Sequence, residues 1–271
     1  MSLDESADKS LRTFHASCHC RSSAISFDIP EADLSLLVHF CHCSICRYTH
    51  GTLMSIHAKI PEPQHDRSTF MSYKSSEYVT KLFCSTCGAH MLDWEDGGAR
   101  KEWFVAVSLV DAKEQVWDFR NHNFVERTAD GGLAMSLTHI NGKQVKLWKK
   151  GLPRRANCSD ELHVQCHCGD IEFSISQPHD DGSFDGIDTS LIPHDKSRWY
   201  GSHDVCNSCR LVTSCTIVSW VFPTIKAITL PGGSPYPANG LVGTAKVYKT
   251  SEDVTRTFCS VCGATATNRH D

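Results

Sequence analysis

Thirteen of the fifteen cysteines in this chain fall into six tight groups: Cys18/Cys20, Cys41/Cys43/Cys46, Cys84/Cys87, Cys166/Cys168, Cys206/Cys209 and Cys259/Cys262. Only Cys158 and Cys215 stand alone. A C-x-C pair on a strand presents both sulfurs on one face, because side chains repeat every two residues. Two thiolates held that way can meet one metal ion but cannot readily join each other. A C-x-x-C-G knuckle turns sharply, and Gly88 or Gly263 supplies a permissive backbone after the second sulfur. Zinc takes four ligands in a tetrahedron, with sulfur at about 2.3 Å. Buried free thiols and redox-active C-x-x-C pairs are the competing readings. An odd total excludes complete disulfide pairing within the chain.

The groups make two kinds of site. Cys18 and Cys20 near the start, with Cys84 and Cys87, supply four thiolates and close two distant stretches on each other. Such a site has no open position and contributes to folding. Cys166, Cys168, Cys259 and Cys262 repeat it. The compact run FCHCSICR instead places Cys41, Cys43 and Cys46 within six residues, with no fourth cysteine nearby. Three protein ligands plus an exchangeable fourth position is the plan of catalytic zinc. A distant His or Asp in that position would make the site structural instead. His42 lies between two ligands on an extended segment and should face the other way, as should His19 and His167.

The order of these groups recurs. Cys18 to Cys166 is a shift of 148, Cys43 to Cys206 a shift of 163, and Cys84 to Cys259 a shift of 175. YKSSEYVTKLFCSTCGA (Tyr73–Ala89) and YKTSEDVTRTFCSVCGA (Tyr248–Ala264) agree at 12 of 17 positions. This is the signature of a duplicated domain. Residues 14–150 and 162–271 are the two copies, and 151–161 is the linker. The linker region carries Gly151, Pro153 and the cations Lys146, Lys149, Lys150, Arg154 and Arg155, which read as a solvated connection. The run QPHDDGSFDGIDTSLIPHDKSR is a surface insertion by composition. AISFDI, LMSIHAKI, WFVAVSL, IEFSI, CTIVSWVF and AKVYKT are short, β-branched or aromatic and bounded by turn residues, so the chain is expected to be all-β. Leu34–Phe40 reads as either a short strand or a turn of helix.

Length and composition set outer bounds. The 271 residues suggest two domains or one large one. With 40% hydrophobic and 21% charged residues, wholesale disorder is excluded. A net charge of −4 argues against sequence-independent nucleic-acid binding. The acidic, polar start MSLDESADKSLR lacks the layout of a secretory signal, and no apolar run approaches the ~20 residues of a membrane span. The expectation is a cytoplasmic protein.

C-x-C near the start, C-H-C-S-x-C-R in the middle and Y-x-S-S before F-C-x-x-C-G resemble the glutathione-dependent formaldehyde-activating enzyme family, which includes centromere protein V. The resemblance covers about 14–140 and 162–264. It implies two tandem zinc-containing domains of the all-β, β-tent (Mss-four-like) fold, with two zincs in the first and one or two in the second. It also implies that Cys18, Cys20, Cys84 and Cys87 hold a structural zinc and Cys41, Cys43 and Cys46 a catalytic one. His122, in RNHNF, matches a family step to which no role is assigned. Arg21 departs from the family's usual glycine, which Gly169 keeps. In the second copy Asp204 stands where Cys41 stands in the first, so Asp204, Cys206 and Cys209, with His203 as a further candidate, would bind zinc less tightly. The stretch matching LDWEDGGARKEWFVAVSLVD is absent there. Its final strand is therefore expected to be missing, leaving an incomplete sheet or one that borrows an edge, for instance by homodimerisation.

The resemblance implies a carbon–sulfur lyase that forms or breaks a thiol–aldehyde adduct, with glutathione and formaldehyde as the type substrates. Three cysteinates make zinc a weak Lewis acid, which favours thiol positioning over water activation. Arg47 is the candidate for a glutathione carboxylate, or else a structural donor to loop carbonyls; Arg210 repeats it. Trp94 and Trp103 read as core, and Ser75 and Ser76 as the turn before the knuckle strand. A non-catalytic zinc module that binds protein is the alternative. A thiol-redox enzyme is a third reading, for which only Cys158 and Cys215 are spare.

Overall fold

In the computed structural model, which describes residues 10–98, 100–149, 160–179 and 181–270, short strands dominate and only two helices, each of two turns, interrupt them. The first half runs β1 (Leu11–Ser17), β2 (Ala24–Pro30), β3 (Leu36–Cys41), α1 (Ser44–His50), β4 (Ser55–Ile60), β5 (Gln64–His65), β6 (Phe70–Lys74), β7 (Val79–Cys84), β8 (His90–Asp96), β9 (Lys101–Ala106), β10 (Trp117–Asn123), β11 (His139–Ile140), β12 (Lys143–Gln144) and β13 (Lys146–Leu147). The second half runs β14 (Glu161–Gln165), β15 (Glu172–Ser176), β16 (Gly201–Asp204), α2 (Asn207–Thr213), β17 (Val218–Val221), β18 (Ile228–Thr229), β19 (Ala245–Ser251), β20 (Val254–Cys259) and β21 (Thr265–His270). Leu34–Phe40 thus resolves into strand β3, whose Val38 and Phe40 alternate into the core.

Eight strands of the first half form one sheet in the order β13-β10-β3-β4-β9-β8-β7-β6, and β1-β2-β5 form a smaller one beside it. Phe14, Ile25, Phe27, Phe40, Ile56, Met91 and Leu92 build the core, all at most 4% exposed. The pairing register recurs in the second half at the offsets of the cysteine groups. Phe14↔Phe27, Cys41↔Ser55 and Lys81↔Asp93 reappear as Leu162↔Ile175, Asp204↔Val218 and Arg256↔Asn268.

One expectation needs correction. A strand does follow Gly263: β21 pairs with β20 in the register that β8 keeps with β7. What has no counterpart among the described residues is β9 and everything after it. The second half therefore holds two separate pieces, β16-β17 and β19-β20-β21, where the first half has a continuous sheet. The insertion is not wholly surface either, since Phe184 is buried against Trp199. Lys146 lies in β13 rather than in a connection. Cys158, Lys150, Arg154 and Arg155 lie outside the described residues.

The two halves pack on each other reciprocally. His19 Nδ1 shares a hydrogen bond with Tyr248 Oη (2.6 Å), and Tyr73 Oη shares one with His167 Nδ1 (2.7 Å). At offsets 148 and 175, the second bond is the first with the halves exchanged. The two knuckles also meet. A Cβ on Gly88 would lie 2.6 Å from the Phe258 ring, and one on Gly263 would lie 2.5 Å from His90 Nε2. At Gly51, which ends α1 at φ +68°, a Cβ would sit 1.9 Å from the Thr265 carbonyl oxygen. Gly51→Ala is expected to destabilise the chain by about 3 kcal/mol, through overpacking against backbone and a strained left-handed residue. Urea unfolding checks this; an unchanged midpoint would mean that the halves do not pack here.

Candidate metal centres

Among the described residues, four groups of potential ligand atoms lie close enough to share an ion, each with all its atoms within 4.8 Å of one another. Cys18, Cys20, Cys84 and Cys87 form the first, and Cys166, Cys168, Cys259 and Cys262 the second. The strand geometry explains them. Cys18 and Cys20 leave β1 in a turn closed by Arg21 N–H donating to Cys18 O (3.0 Å), and Gly169 N–H closes the same turn on Cys166 O (3.1 Å). Both turn residues are left-handed, at φ 60° and 86°, which is why glycine suits this position and why Arg21 is a strained departure. Each knuckle is closed alike: Gly88 N–H donates to Cys84 O and Gly263 N–H to Cys259 O.

The compact groups sit at the starts of the helices. Cys41 ends β3, Cys43 caps α1 by accepting from Cys46 N–H (3.4 Å), and Cys46 lies in the first turn. Cys206 caps α2 in the same way. No fourth His, Cys, Asp or Glu among the described residues joins Cys41, Cys43 and Cys46 within that distance. The three sulfurs fit a soft divalent cation. Cys41 and Cys46 thiols holding it by hydrogen bonds pull the Cys43 thiol down to about 2, and the same contacts push Cys41 up. None of the three crowded sulfurs is in a disulfide, and a metal ion would relieve that crowding. In the four-sulfur groups Cys20 and Cys84 approach to 3.5 Å, and Cys168 and Cys259 to 3.4 Å, again as free thiols.

The histidines set aside above do lie elsewhere. His122 Nε2 donates to Leu137 O (2.7 Å), so its Nδ1 accepts from His42 Nε2 (3.0 Å) behind the site. His203 shares a hydrogen bond with Ser219 and does not join the group of Asp204, Cys206 and Cys209. Arg47 Nε donates to His42 O (3.0 Å), which fixes the loop that carries Cys43. Arg210 reaches Asn207, Ser75 closes its turn on Val79 O, and Trp94 stacks on Trp103. Cys215 is fully buried with its thiol donating to Met54 O.

Five further residues beside the compact site carry charge or protons. Lys81, only 1% exposed, donates to Asp93 Oδ2 at 2.7 Å, and His57 Nε2 lies 3.7 Å from the same oxygen. Burial alone would lower the Lys81 ammonium, but Asp93 and the nearby Cys46 hold it above its ordinary value. Burial would raise Asp93, but Lys81 and His57 hold its carboxyl below the usual range. His50 Nδ1 donates to Thr213 O and His90 Nε2 to Cys262 O, so the second half fixes both rings. Their remaining nitrogens, buried without a partner among the described residues, turn inward. Burial pulls His90 down to about 3, so it stays neutral.

In the second half the counterpart cation behaves differently. Arg256, 3% exposed, faces Asn268 in place of a carboxylate and donates from Nη2 to Cys209 Sγ (3.1 Å). A signal for this centre was present in the sequence: Lys81 alternates with Val79 and Phe83, and Arg256 with Val254 and Phe258, cations among apolar neighbours of the same parity.

No membrane-length apolar helix occurs among the described residues. No curated protein matches the chain. Among solved structures, a crystal structure of a Rhodobacter sphaeroides protein is 18% identical, with 38% of this chain and 99% of that chain covered at a TM-score of 0.29. Residues 13–127 match the family described as "Glutathione-dependent formaldehyde-activating enzyme".

Proposed function

We propose that this chain is a carbon–sulfur lyase of the thiol–aldehyde adduct type, acting at Cys41, Cys43 and Cys46. The carrying observation is the trio of sulfurs with no fourth protein ligand within reach among the described residues. The family match to residues 13–127 supports glutathione and formaldehyde as the substrate types. Zinc in such a site supplies a place where a substrate thiol is bound and made more acidic. The chain's own residues then set the rest. In the forward direction the glutathione sulfur bonds to the aldehyde carbon and the thiol proton goes to the carbonyl oxygen, giving S-hydroxymethylglutathione. Arg47 is held by its Nε to His42 O, which leaves its outer nitrogens to meet a glutathione carboxylate. The buried Lys81 places a fixed positive charge near the sulfurs.

Residues 14–150 are read as the active domain, 151–161 as linker and 162–271 as a second domain of the same β-tent family. The recurring register supports the duplication. For the second copy the non-catalytic reading is favoured, because Arg256 already places a cation on Cys209. Zinc is assigned to both four-sulfur groups and to Cys41/Cys43/Cys46, while Asp204/Cys206/Cys209 would bind it weakly.

The test is exchange spectroscopy by NMR on glutathione and formaldehyde with the purified chain. Adduct exchange faster than the uncatalysed rate, tracking a zinc content of at least three per chain, is expected. Fewer than two zincs, or exchange unchanged by the protein, would contradict the proposal.

A further inference from the structure

One histidine of the second half reaches the compact site of the first. Asp93, Lys81 and Tyr73 stand in one row across β8, β7 and β6, since Asp93 pairs with Lys81 and Lys81 with Tyr73. Residues directly opposite each other in a sheet share a face, so the Tyr73 ring lies on the side that holds the Lys81 ammonium. There Tyr73 Oη meets His167 Nδ1 at 2.7 Å, with the two rings edge-on at 81°. The backbone of His167 is tied to the helix that carries the sulfurs. Its N–H donates to Tyr48 O (3.1 Å), a carbonyl in the last turn of α1, where helices leave acceptors unpaired. Cys46 lies two residues before Tyr48 in the same helix. His167 is thus fixed at two points, one close to Cys46 along α1 and one beside Lys81. Burial lowers the basicity of its imidazole, the Lys81 ammonium lowers it further, and Cys46 acts the other way. The ring is therefore within electrostatic reach of both.

The same contact recurs with the halves exchanged, but only one end of it meets three sulfurs. His19 bonds Tyr248, which pairs with Arg256 as Tyr73 pairs with Lys81. On that side Asp204 stands in place of a third cysteine, and Arg256 already donates to Cys209. On the other side His167 is half-buried, and its Nε2 has no hydrogen-bond partner among the described residues. Arg47 flanks the same helical residue, with its guanidinium carbon 5.3 Å from the centre of the Tyr48 ring. Arg47 and His167 therefore bracket Tyr48 from the two halves. We propose that the glutathione site is shared between the halves: Tyr73 O–H donates to His167 Nδ1, and His167 Nε2–H donates to a carboxylate or peptide oxygen of the tripeptide whose sulfur lies at Cys41, Cys43 and Cys46. This rests on the thiol–aldehyde reading above and gives the second half a part in recognising the thiol, although its own compact site is read as non-catalytic.

The test compares glutathione with mercaptoethanol, a thiol without the tripeptide, in the formaldehyde exchange assay on the full zinc-loaded chain. Calorimetry of glutathione binding runs beside it. His167→Ala is expected to raise both KM and Kd for glutathione about tenfold, the loss of one hydrogen bond to a charged group, while exchange with mercaptoethanol and zinc content stay unchanged. His167→Gln, whose amide N–H can replace the Nε2 donor, should restore most of the affinity. Tyr73→Phe should weaken glutathione severalfold by freeing the ring, and it carries the comparison should His167→Ala lose zinc. His19→Ala removes the matching bond on the Arg256 side and is expected to leave glutathione binding unchanged. Equal losses with both thiols, or equal effects of His19→Ala and His167→Ala, would mean that the histidine only joins the halves and would overturn the proposal. Glutathione affinity that ignores His167 would overturn it while leaving the lyase reading in place. Binding that depends on His167 without any exchange activity would sustain the shared site and contradict the lyase reading instead; no glutathione binding at all would overturn both.

Discussion

Cys84→Ala is expected to unfold the first half, whereas Cys43→Ala leaves it folded and removes catalysis. Cys84 is fully buried at the end of β7 and, with Cys87, ties that strand to the turn after β1. Structural zinc in small sites contributes about 10–16 kcal/mol, which equals or exceeds the ~5–15 kcal/mol stability of a typical domain. Losing one of four ligands therefore removes much of what holds β1, β2 and β7 together. Cys43 instead caps a helix of seven residues, and its loss costs a cap of about 1 kcal/mol together with the ligand. Far-UV circular dichroism and the glutathione–formaldehyde exchange assay separate the two. Equal unfolding by both substitutions would favour a wholly structural role for the compact site.

The second large effect concerns a pair with no sulfur in it. Asp93→Asn is expected to destabilise the chain by about 3–5 kcal/mol at neutral pH, since it strands the Lys81 ammonium in the core. The double variant Lys81→Met/Asp93→Leu should lose much less than either single change, because no buried charge is left alone. The pH dependence has a definite sign. Asp93 is held below its unfolded value near 3.9, so its contribution is present above that pH and is lost as pH falls through the folded value. The gap between wild type and Asp93→Asn should therefore narrow below about pH 4. Denaturant titrations over a pH series check this, and a gap independent of pH would mean that Lys81 and Asp93 are not an ion pair. In the second half Asn268 stands opposite Arg256 in the same pairing position, and Arg256 turns to Cys209.

The cysteine pairs were legible because C-x-C and C-x-x-C fix their own turns locally, and the structure brings these pairs together into sulfur clusters. The strands were legible for the same reason, as alternation in AISFDI and IEFSI shows. Long-range pairing was not. Lys81 and Asp93 meet because β7 and β8 pair in one register, and a β-bulge between Leu82 and Phe83 sets it. Nothing in TKLFC announces that. His50 and His90 are oriented by carbonyls of Thr213 and Cys262, more than 160 residues away. The strand after Gly263 was missed because TATNRH carries little apolar periodicity, its inner face being small and polar against β20.

Cadmium-113 NMR on the cadmium-loaded chain tests the open-site assignment most directly, because each ion gives its own resonance. The signal lost in Cys43→Ala belongs to Cys41, Cys43 and Cys46. On adding glutathione that signal alone is expected to shift, while those of the four-sulfur groups stay in place. A Cys43-dependent signal that ignores glutathione would contradict the account, because a protein side chain would then complete the site.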